Sequence, residues 1–248
     1  LSGWFKGDAG VLEGVGPNDP AEDGDPVRRW EDQSGFARNL DEVTNKPLYI
    51  ASLYAGIGGV RFDGVNDKLT GTGLWAGLMG STDWTFGGAF ILRANTTDAA
   101  NVYNNDALAC DDGGGGNWGI HFANSSPRKI QAYVFDAATE KTATVAMETV
   151  DTLIRFVAAQ ATGTAVLTLR VNDATEASTS SVGAMDGSGG DFRIGSAYGP
   201  SSVFTQIDIL ELFCYQGSAK NSSDRGGLMD YLYTRFPVPG GGCAYLLC

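Results

Sequence analysis

Apolar and polar residues alternate along this chain in short runs, so the pattern predicts strands. Val60-Arg61-Phe62 alternates and stops at Asp63-Gly64, a turn dipeptide. From Trp84 the signal strengthens. Residues 85–93 carry Phe86, Ala89, Phe90, Ile91 and Leu92 and read as a largely buried strand, followed by strands over 118–122 and 130–135. Residues 152–159 and 164–171 read as a pair joined through Gly163. In the second, Val166, Thr168 and Arg170 alternate with Leu167, Leu169 and Val171, as in a half-buried antiparallel strand. Residues 192–195 form a short strand, and 207–215 the most apolar one. One helix is predicted near the end: Asn221, Ser222 or Ser223 caps it, and Leu228, Met229, Leu232 and Phe236 recur at helical spacing up to Pro237. Such a stripe reads as packing against the strands.

The first fifty residues are turn-rich, with the clusters Pro17-Asn18-Asp19-Pro20 and Glu22-Asp23-Gly24-Asp25-Pro26 around the short segments Val11-Leu12 and 27–30. Glycine is frequent, at 35 of 248 residues, which fits many short strands punctuated by turns. A β-sandwich of this length forms one domain that needs neither metal nor disulfide merely to fold. The expected division is a sandwich over residues 1–239 and a glycine-rich tail over 240–248, where Gly240-Gly241-Gly242 precedes Cys243-Ala-Tyr-Leu-Leu-Cys248. That apolar tip is a candidate contact with another subunit, including a second copy.

Charge narrows the partners. Seventeen Lys+Arg against 29 Asp+Glu give a formal charge of −12, and the densest basic spots are only Arg28-Arg29 and Arg128-Lys129. Nucleic acid, heparin-like polyanions and anionic membranes need a basic face, so they are poor partners for it. No apolar run is long enough to span a bilayer. The chain opens Leu1-Ser2-Gly3-Trp4 with neither an initiator Met nor a basic-then-apolar leader, compatible with a processed start or a piece of something larger.

The four cysteines, Cys110, Cys214, Cys243 and Cys248, allow three disulfide pairings. Cys243 and Cys248 are positioned to close a small terminal loop, Cys110 falls in a Gly/Asp-rich loop, and Cys214 lies in an apolar strand. No CxxC pair suggests zinc.

Several stretches, in order, resemble the concanavalin-like, laminin-G-type domains of bacterial surface proteins and tailed-phage virion proteins. The opening signature is Trp4-Phe5-Lys6-Gly7-Asp8-Ala9-Gly10-Val11, then Asp23-Gly24-Asp25-Pro26-Val27 and Trp30-Glu31-Asp32-Gln33-Ser34-Gly35. The second is Lys46-Pro47-Leu48-Tyr49 with residues 58–69, Gly-Gly-Val-Arg-Phe-Asp-Gly-Val-Asn-Asp-Lys-Leu. Leu169-Arg170-Val171-Asn172-Asp173 resembles a hairpin motif that usually has Gly where Asp173 stands. Phe192-Arg193-Ile194-Gly195, residues 207–212 and the closing helix complete the set. The resemblance implies an all-β, two-sheet antiparallel jelly roll of about a dozen strands with one C-terminal helix, and no particular ligand. Large apolar Trp4, Trp30, Phe62 and Phe213 then belong between the sheets. Asp32, Ser34 and Asp63, near glycines, are expected to fix turns by hydrogen-bonding backbone N–H groups, and Asp8, Asp32 and Asp63 to hold the fold rather than catalyse.

Residues 206–211, Gln-Ile-Asp-Ile-Leu-Glu, resemble the catalytic strand of family-16 glucanases, which share this superfold and carry Glu-Ile-Asp-Ile-x-Glu. Retaining hydrolysis needs two carboxyl groups about 5–5.5 Å apart. Here Gln206 stands at the nucleophile position, and an amide cannot form the glycosyl-enzyme bond. The default for Glu211 is therefore a solvent-facing or turn-capping carboxylate, with a hydrolase built on Glu211 as the outlying alternative. His121 is the one histidine, in Gly-Ile-His-Phe, and reads as a packed or half-exposed residue. No Gly-x-Ser-x-Gly elbow exists, and Gly113-Gly114-Gly115-Gly116 lacks the Lys-Ser/Thr of a phosphate loop.

The most suggestive ligand region is 101–118. Asn104, Asn105, Asp106, Asp111, Asp112 and Asn117 sit on Gly-rich loops, where Asp106, Asp111 and Asp112 are candidate oxygen ligands for Ca²⁺. Trp118 beside them is a candidate platform for a sugar ring. The competing reading is a solvated hairpin loop. No cofactor is required; Ca²⁺ is the one considered. The expected function is a non-catalytic binding or adhesion module, extracellular or on a virion surface, as a decoration, fibre or tail-associated protein. It would contact glycans or neighbouring subunits. A purely architectural protein docking through its tail is the alternative.

Overall fold

The computed structural model describes residues 1–14, 19–71, 83–93, 105–111, 118–123, 128–136, 139–147, 150–180, 191–196 and 204–238, with backbone alone at 105–111, 123, 135–136 and 147. Seventeen strands occur among them, more than the dozen anticipated. In chain order they are β1 (Gly3–Lys6), β2 (Val11–Leu12), β3 (Arg29–Trp30), β4 (Leu40–Asp41), β5 (Leu48–Tyr54) and β6 (Ile57–Asp63). Then come β7 (Leu69–Gly71), β8 (Trp84–Leu92), β9 (Asn105–Asp111), β10 (Trp118–Ala123), β11 (Arg128–Asp136) and β12 (Thr139–Met147). Last are β13 (Leu153–Ala161), β14 (Val166–Val171), β15 (Ala177–Ser180), β16 (Asp191–Ile194), β17 (Gln206–Gln216) and the helix α1 (Ser222–Arg235).

Two antiparallel sheets face each other. The first runs β15-β14-β13-β8-β17-β6-β5, with β1 pairing β17 beside it; the second runs β12-β11-β10-β9-β16-β7-β4-β3-β2. Their inner faces interdigitate around Trp30, Phe62, Trp84, Phe86, Phe90, Trp118, Phe156 and Phe192, all fully buried. Burial of this apolar surface is the main force holding the sheets together. The β13–β14 pair forms as expected, closed by a 3₁₀ turn over Thr162–Thr164.

A second apolar layer lies on the other face of the first sheet. There Ala89, Val157, Leu210 and Phe213 meet Met229, Leu232 and Phe236 of the α1 segment, with Trp4 half-buried at the margin. This corrects the expected position of Trp4 and Phe213: both pack under the helix, outside the inter-sheet space. Asn221 caps α1, its side chain accepting the N–H of Asp224 at 2.9 Å. At the other end Arg155 of β13 donates to the Phe236 carbonyl through Nε, at 3.0 Å, and through Nη2, while stacking its guanidinium over Tyr233 at 4.6 Å. Tyr54 of β5 donates to the Pro237 carbonyl at 2.7 Å. A cation at a helix C-terminus meets the negative end of the helix dipole, so Arg155 both caps and anchors.

The turn aspartates behave as expected from sequence. Asp32 accepts from the Trp4 and Ser34 backbone N–H groups at 2.8 Å each, from the Ser34 hydroxyl at 2.7 Å and from the Arg38 N–H at 3.2 Å. Asp63 accepts from the N–H groups of Val65, Asn66 and Asp67. Asp8 holds the fold through an ion pair, with Arg235 at 2.5 Å, that ties the first loop to α1. Cys214 is buried on the inner face of β17. Cys110 lies on β9 rather than in a loop, and Cys243 and Cys248 lie outside the described residues.

Candidate functional site

The strand resembling a catalytic one is the natural first candidate. β17 carries a bulge: Ile209 faces Phe90 and Glu211 faces Ala89, leaving Leu210 without a partner on β8. One inserted residue shifts the alternation. Ile207, Ile209, Leu212 and Cys214 therefore point between the sheets, while Leu210 and Phe213 point toward α1. Asp208 and Glu211, three apart, share that outer face.

Neither carboxylate is available for chemistry there. Glu211 is fully buried. It accepts from Trp4 Nε1 at 2.7 Å, Tyr231 Oη at 2.6 Å and Arg235 Nε at 3.4 Å. The expectation of a solvent-facing Glu211 is thus corrected: the helix covers it and donors surround it. Burial, then the hydrogen bond to Glu211, drives the Tyr231 phenol well above its usual range. Asp208, equally buried, accepts from Arg61 at 2.8 and 2.9 Å and from Arg93 at 2.6 Å, which joins β6, β8 and β17. Gln206 sits half-buried opposite Asp63.

The anticipated loop cluster is reorganised. Asn105, Asp106 and Asp111 lie on strand β9, near its two ends. Five residues of strand put Asp106 and Asp111 roughly 15 Å apart. Ligands of one calcium ion, each at about 2.3–2.6 Å, must lie far closer together. Asp106 and Asp111 therefore cannot share an ion. Asn104, Asp112 and Asn117 lie outside the described residues, and among the described residues no three metal-ligating side chains gather. Trp118 is fully buried in the inter-sheet core, stacked on Phe192 with centroids 5.9 Å apart and edge-on to Phe86 at 5.2 Å. It presents no face to a sugar. Its Nε1 is buried without a hydrogen-bond partner.

What the register does assemble is a polar rung across the outer face of the second sheet. Asp106 on β9 is in register with His121 on β10, His121 with Gln131 on β11, and Gln131 with Thr144 on β12. Ile120, Phe122, Ile130 and Ala132 point inward, so His121 and Gln131 point outward. His121 Nε2 and Gln131 Oε1 lie 3.0 Å apart, and Gln131 Nε2 donates to Thr144 Oγ1 at 2.8 Å. The amide oxygen accepts only, so this contact is a hydrogen bond when His121 carries a proton on Nε2. The Thr144 oxygen accepts in this bond, so its own proton remains available to donate. His121 also stacks on Tyr133, with centroids 4.6 Å apart, and both rings are buried, 2% and 3% exposed. Glu140 stands 3.9 Å from His121 Nε2 at the end of the rung.

Sequence reasoning singled out Asp106 and His121 but missed Gln131, Thr144 and Tyr133. Their signal was present: 130–134 alternates Ile, Ala and Val with Gln and Tyr, which places the latter two on one face. The link to β12 is a tertiary fact that no local pattern reveals.

No helix among the described residues is long and apolar enough to cross a membrane. No family model matches the chain, and no curated protein matches it in sequence. Solved structures resemble it in shape. One is the binding domain of Paraclostridial Mosquitocidal Protein 1, with TM-score 0.65 and 14% identity over 85% of this chain and 51% of that one. Another is the botulinum neurotoxin serotype G binding domain, with TM-score 0.62 and 12% identity over 82% of this chain and 48% of that one. A third is Trypanosoma rangeli sialidase in complex with sialic acid, with TM-score 0.60 and 12% identity over 94% of this chain and 33% of that one. The chain thus spans about half of each binding domain and a third of the sialidase. At these identities the likeness shows the fold alone, an all-β sandwich shared with binding domains and with part of an enzyme.

Proposed function

We propose that the protein is a non-catalytic binding module of laminin-G-like architecture that engages glycans through the outer face of its second sheet. The observation that carries this reading is the hydrogen-bonded row of His121, Gln131 and Thr144, which leaves the half-buried Thr144 hydroxyl a proton to donate on a sheet face that α1 does not cover. The half-buried amide of Gln131 and hydroxyl of Thr144 suit recognition of sugar hydroxyls, with the buried His121–Tyr133 pair holding them in place. The burial of Glu211 beneath α1 supports the non-catalytic half of the proposal. Asn104, Asn105, Asp106, Asp111, Asp112 and Asn117 are proposed as further contacts, Asn104, Asp112 and Asn117 among them lying outside the described residues. Calcium is proposed at Asp106 or at Asp111, not at both.

In this reading the module is displayed outside the cell or on a virion surface, as a decoration, fibre or tail-associated component. Its tail over 240–248 contacts neighbouring subunits, and Cys243 and Cys248 are proposed to close it. A saccharide array tests the reading. Binding to at least one saccharide class is expected, weakened at least about tenfold by Thr144→Val through loss of the terminal donor. An empty array, together with co-purification in a larger particle, would assign the chain to architecture instead.

A further inference from the structure

A second recognition surface lies on the opposite side of the molecule, where α1 begins. There the β13–β14 pair and the segment entering the helix enclose an open groove of about 320 Å³. Its floor is small and apolar: Ala159, Ala161 and Val166. Thr164, Thr168, Lys220, Asn221 and Arg225 form its polar rim, and among the described residues no acidic one lines it, in a chain carrying 29 Asp and Glu.

The hydrogen bonds already made fix what each rim group has left to offer. Arg225 is engaged, with Nε and Nη2 on Glu176 at 2.8 and 2.5 Å and Nη1 on the Lys220 carbonyl, so its charge is neutralised. Lys220 makes no ion pair among the described residues; its ammonium rests 4.8 Å from the Tyr215 ring centroid, half-exposed. The Asn221 side-chain oxygen accepts the Asp224 N–H, which leaves its NH₂ to donate. The Thr168 hydroxyl donates to the Ala159 carbonyl at 3.2 Å, which leaves only its acceptor lone pairs. The groove therefore presents a cation that makes no ion pair among the described residues and an amide donor for an anionic acceptor, one acceptor for a hydroxyl, and an apolar floor for a C–H face.

We infer that this groove binds a carboxylated sugar ring, a hexuronate-type unit, with the carboxylate on Lys220 and Asn221, a ring hydroxyl on Thr168 and the apolar ring face on Ala159, Ala161 and Val166. The volume lies at the lower end of the roughly 300–1,000 Å³ of small-molecule sites, which suits a single sugar unit rather than an extended chain. The inference rests on the glycan-binding reading above and assigns it a second subsite of defined charge.

The test is a titration of the ¹⁵N-labelled protein with D-glucuronate, D-glucose and acetate, following the backbone amides of 159–168 and 219–225. Glucuronate is expected to shift these amides, with glucose and acetate each at least about tenfold weaker, the ratio that loss of one charge-assisted hydrogen bond produces. Lys220→Gln is expected to weaken glucuronate by a similar factor, and Ala161→Phe to abolish the shifts by filling the floor. If Ala161→Phe unfolds the pair, Lys220→Gln, which removes only a half-exposed charge, decides alone. Unshifted groove amides, or a Lys220→Gln variant that binds normally, would overturn the groove. Saccharide shifts confined to β10–β12, or an array hit beside a silent glucuronate titration, would remove the groove and leave the binding module standing. A silent titration beside an empty array would remove both.

Discussion

Trp4 Nε1 donates to Glu211 Oε1 at 2.7 Å, a bond that spans 207 positions of sequence and ties the first strand to the last. Tyr231 of α1 donates to the same oxygen at 2.6 Å. One buried carboxylate thus fastens β1, β17 and α1 together. Trp4→Phe and Tyr231→Phe each withdraw one donor from a group that water cannot reach. Each is expected to cost about 1–3 kcal/mol in urea unfolding. Because both bonds end on one oxygen, the double variant should depart from additivity.

Asp208 sits between two guanidiniums, Arg61 and Arg93. Asp208→Ala removes the acceptor and leaves two cations facing each other across β17. The expected loss is about 3–5 kcal/mol, as for other buried pairs that lose one partner. Both arginines retain partial solvent access, 38% and 27% of the side chain, so the loss should fall toward the lower figure. Chemical unfolding of the variant checks it.

Asp67 supplies a pH dependence. Burial, together with the charge of Asp63, pushes its carboxyl up from 3.8 to about 6, against the hydrogen bond from the Asp63 N–H. The folded state therefore holds a proton that the unfolded state has released between about pH 4 and 6. This contribution is greatest in the protonated form and falls as pH rises through that window. Asp67→Asn keeps an acceptor for the Asp63 N–H at 2.9 Å and removes the titration. The difference in unfolding free energy between variant and parent should grow in the variant's favour by about 1–2 kcal/mol from pH 4 to pH 7. A constant difference would count against a buried Asp67.

Trp118 separates a core from a platform. Trp118→Ala is expected to cost about 3–5 kcal/mol by emptying the space between Trp84, Phe86 and Phe192. Trp118→Phe removes the unpartnered Nε1 with much of the ring retained, so it should cost clearly less. Thermal unfolding of the two variants ranks them.

The long central strands were legible because their apolar runs, and in β14 the alternation, are strong: β8, β13, β14 and β17, and the helix with its Asn221 cap, fall where the pattern puts them. Strands of two residues, such as β2, β3 and β4, have no period to read and exist only through their partners. β9 was hidden because Asn105, Asp106 and Asp111 at its ends carry turn chemistry, and Trp118 followed a glycine run that resembles a loop tip. The bulge in β17 mattered most for function. A strict period of two puts Asp208 and Glu211 on opposite faces. The inserted residue puts both on the outer face, where Glu211 is buried beneath α1 and Asp208 between Arg61 and Arg93, and with them the one feature that suggested an enzyme.

The most direct test of the account measures β-glucan hydrolysis and thermal stability together in the parent and in Glu211→Gln. The account expects no turnover in either protein and a lower melting temperature in the variant, since an amide cannot accept from three donors as a carboxylate does. Turnover by the parent that Glu211→Gln removes, at unchanged stability, would contradict it.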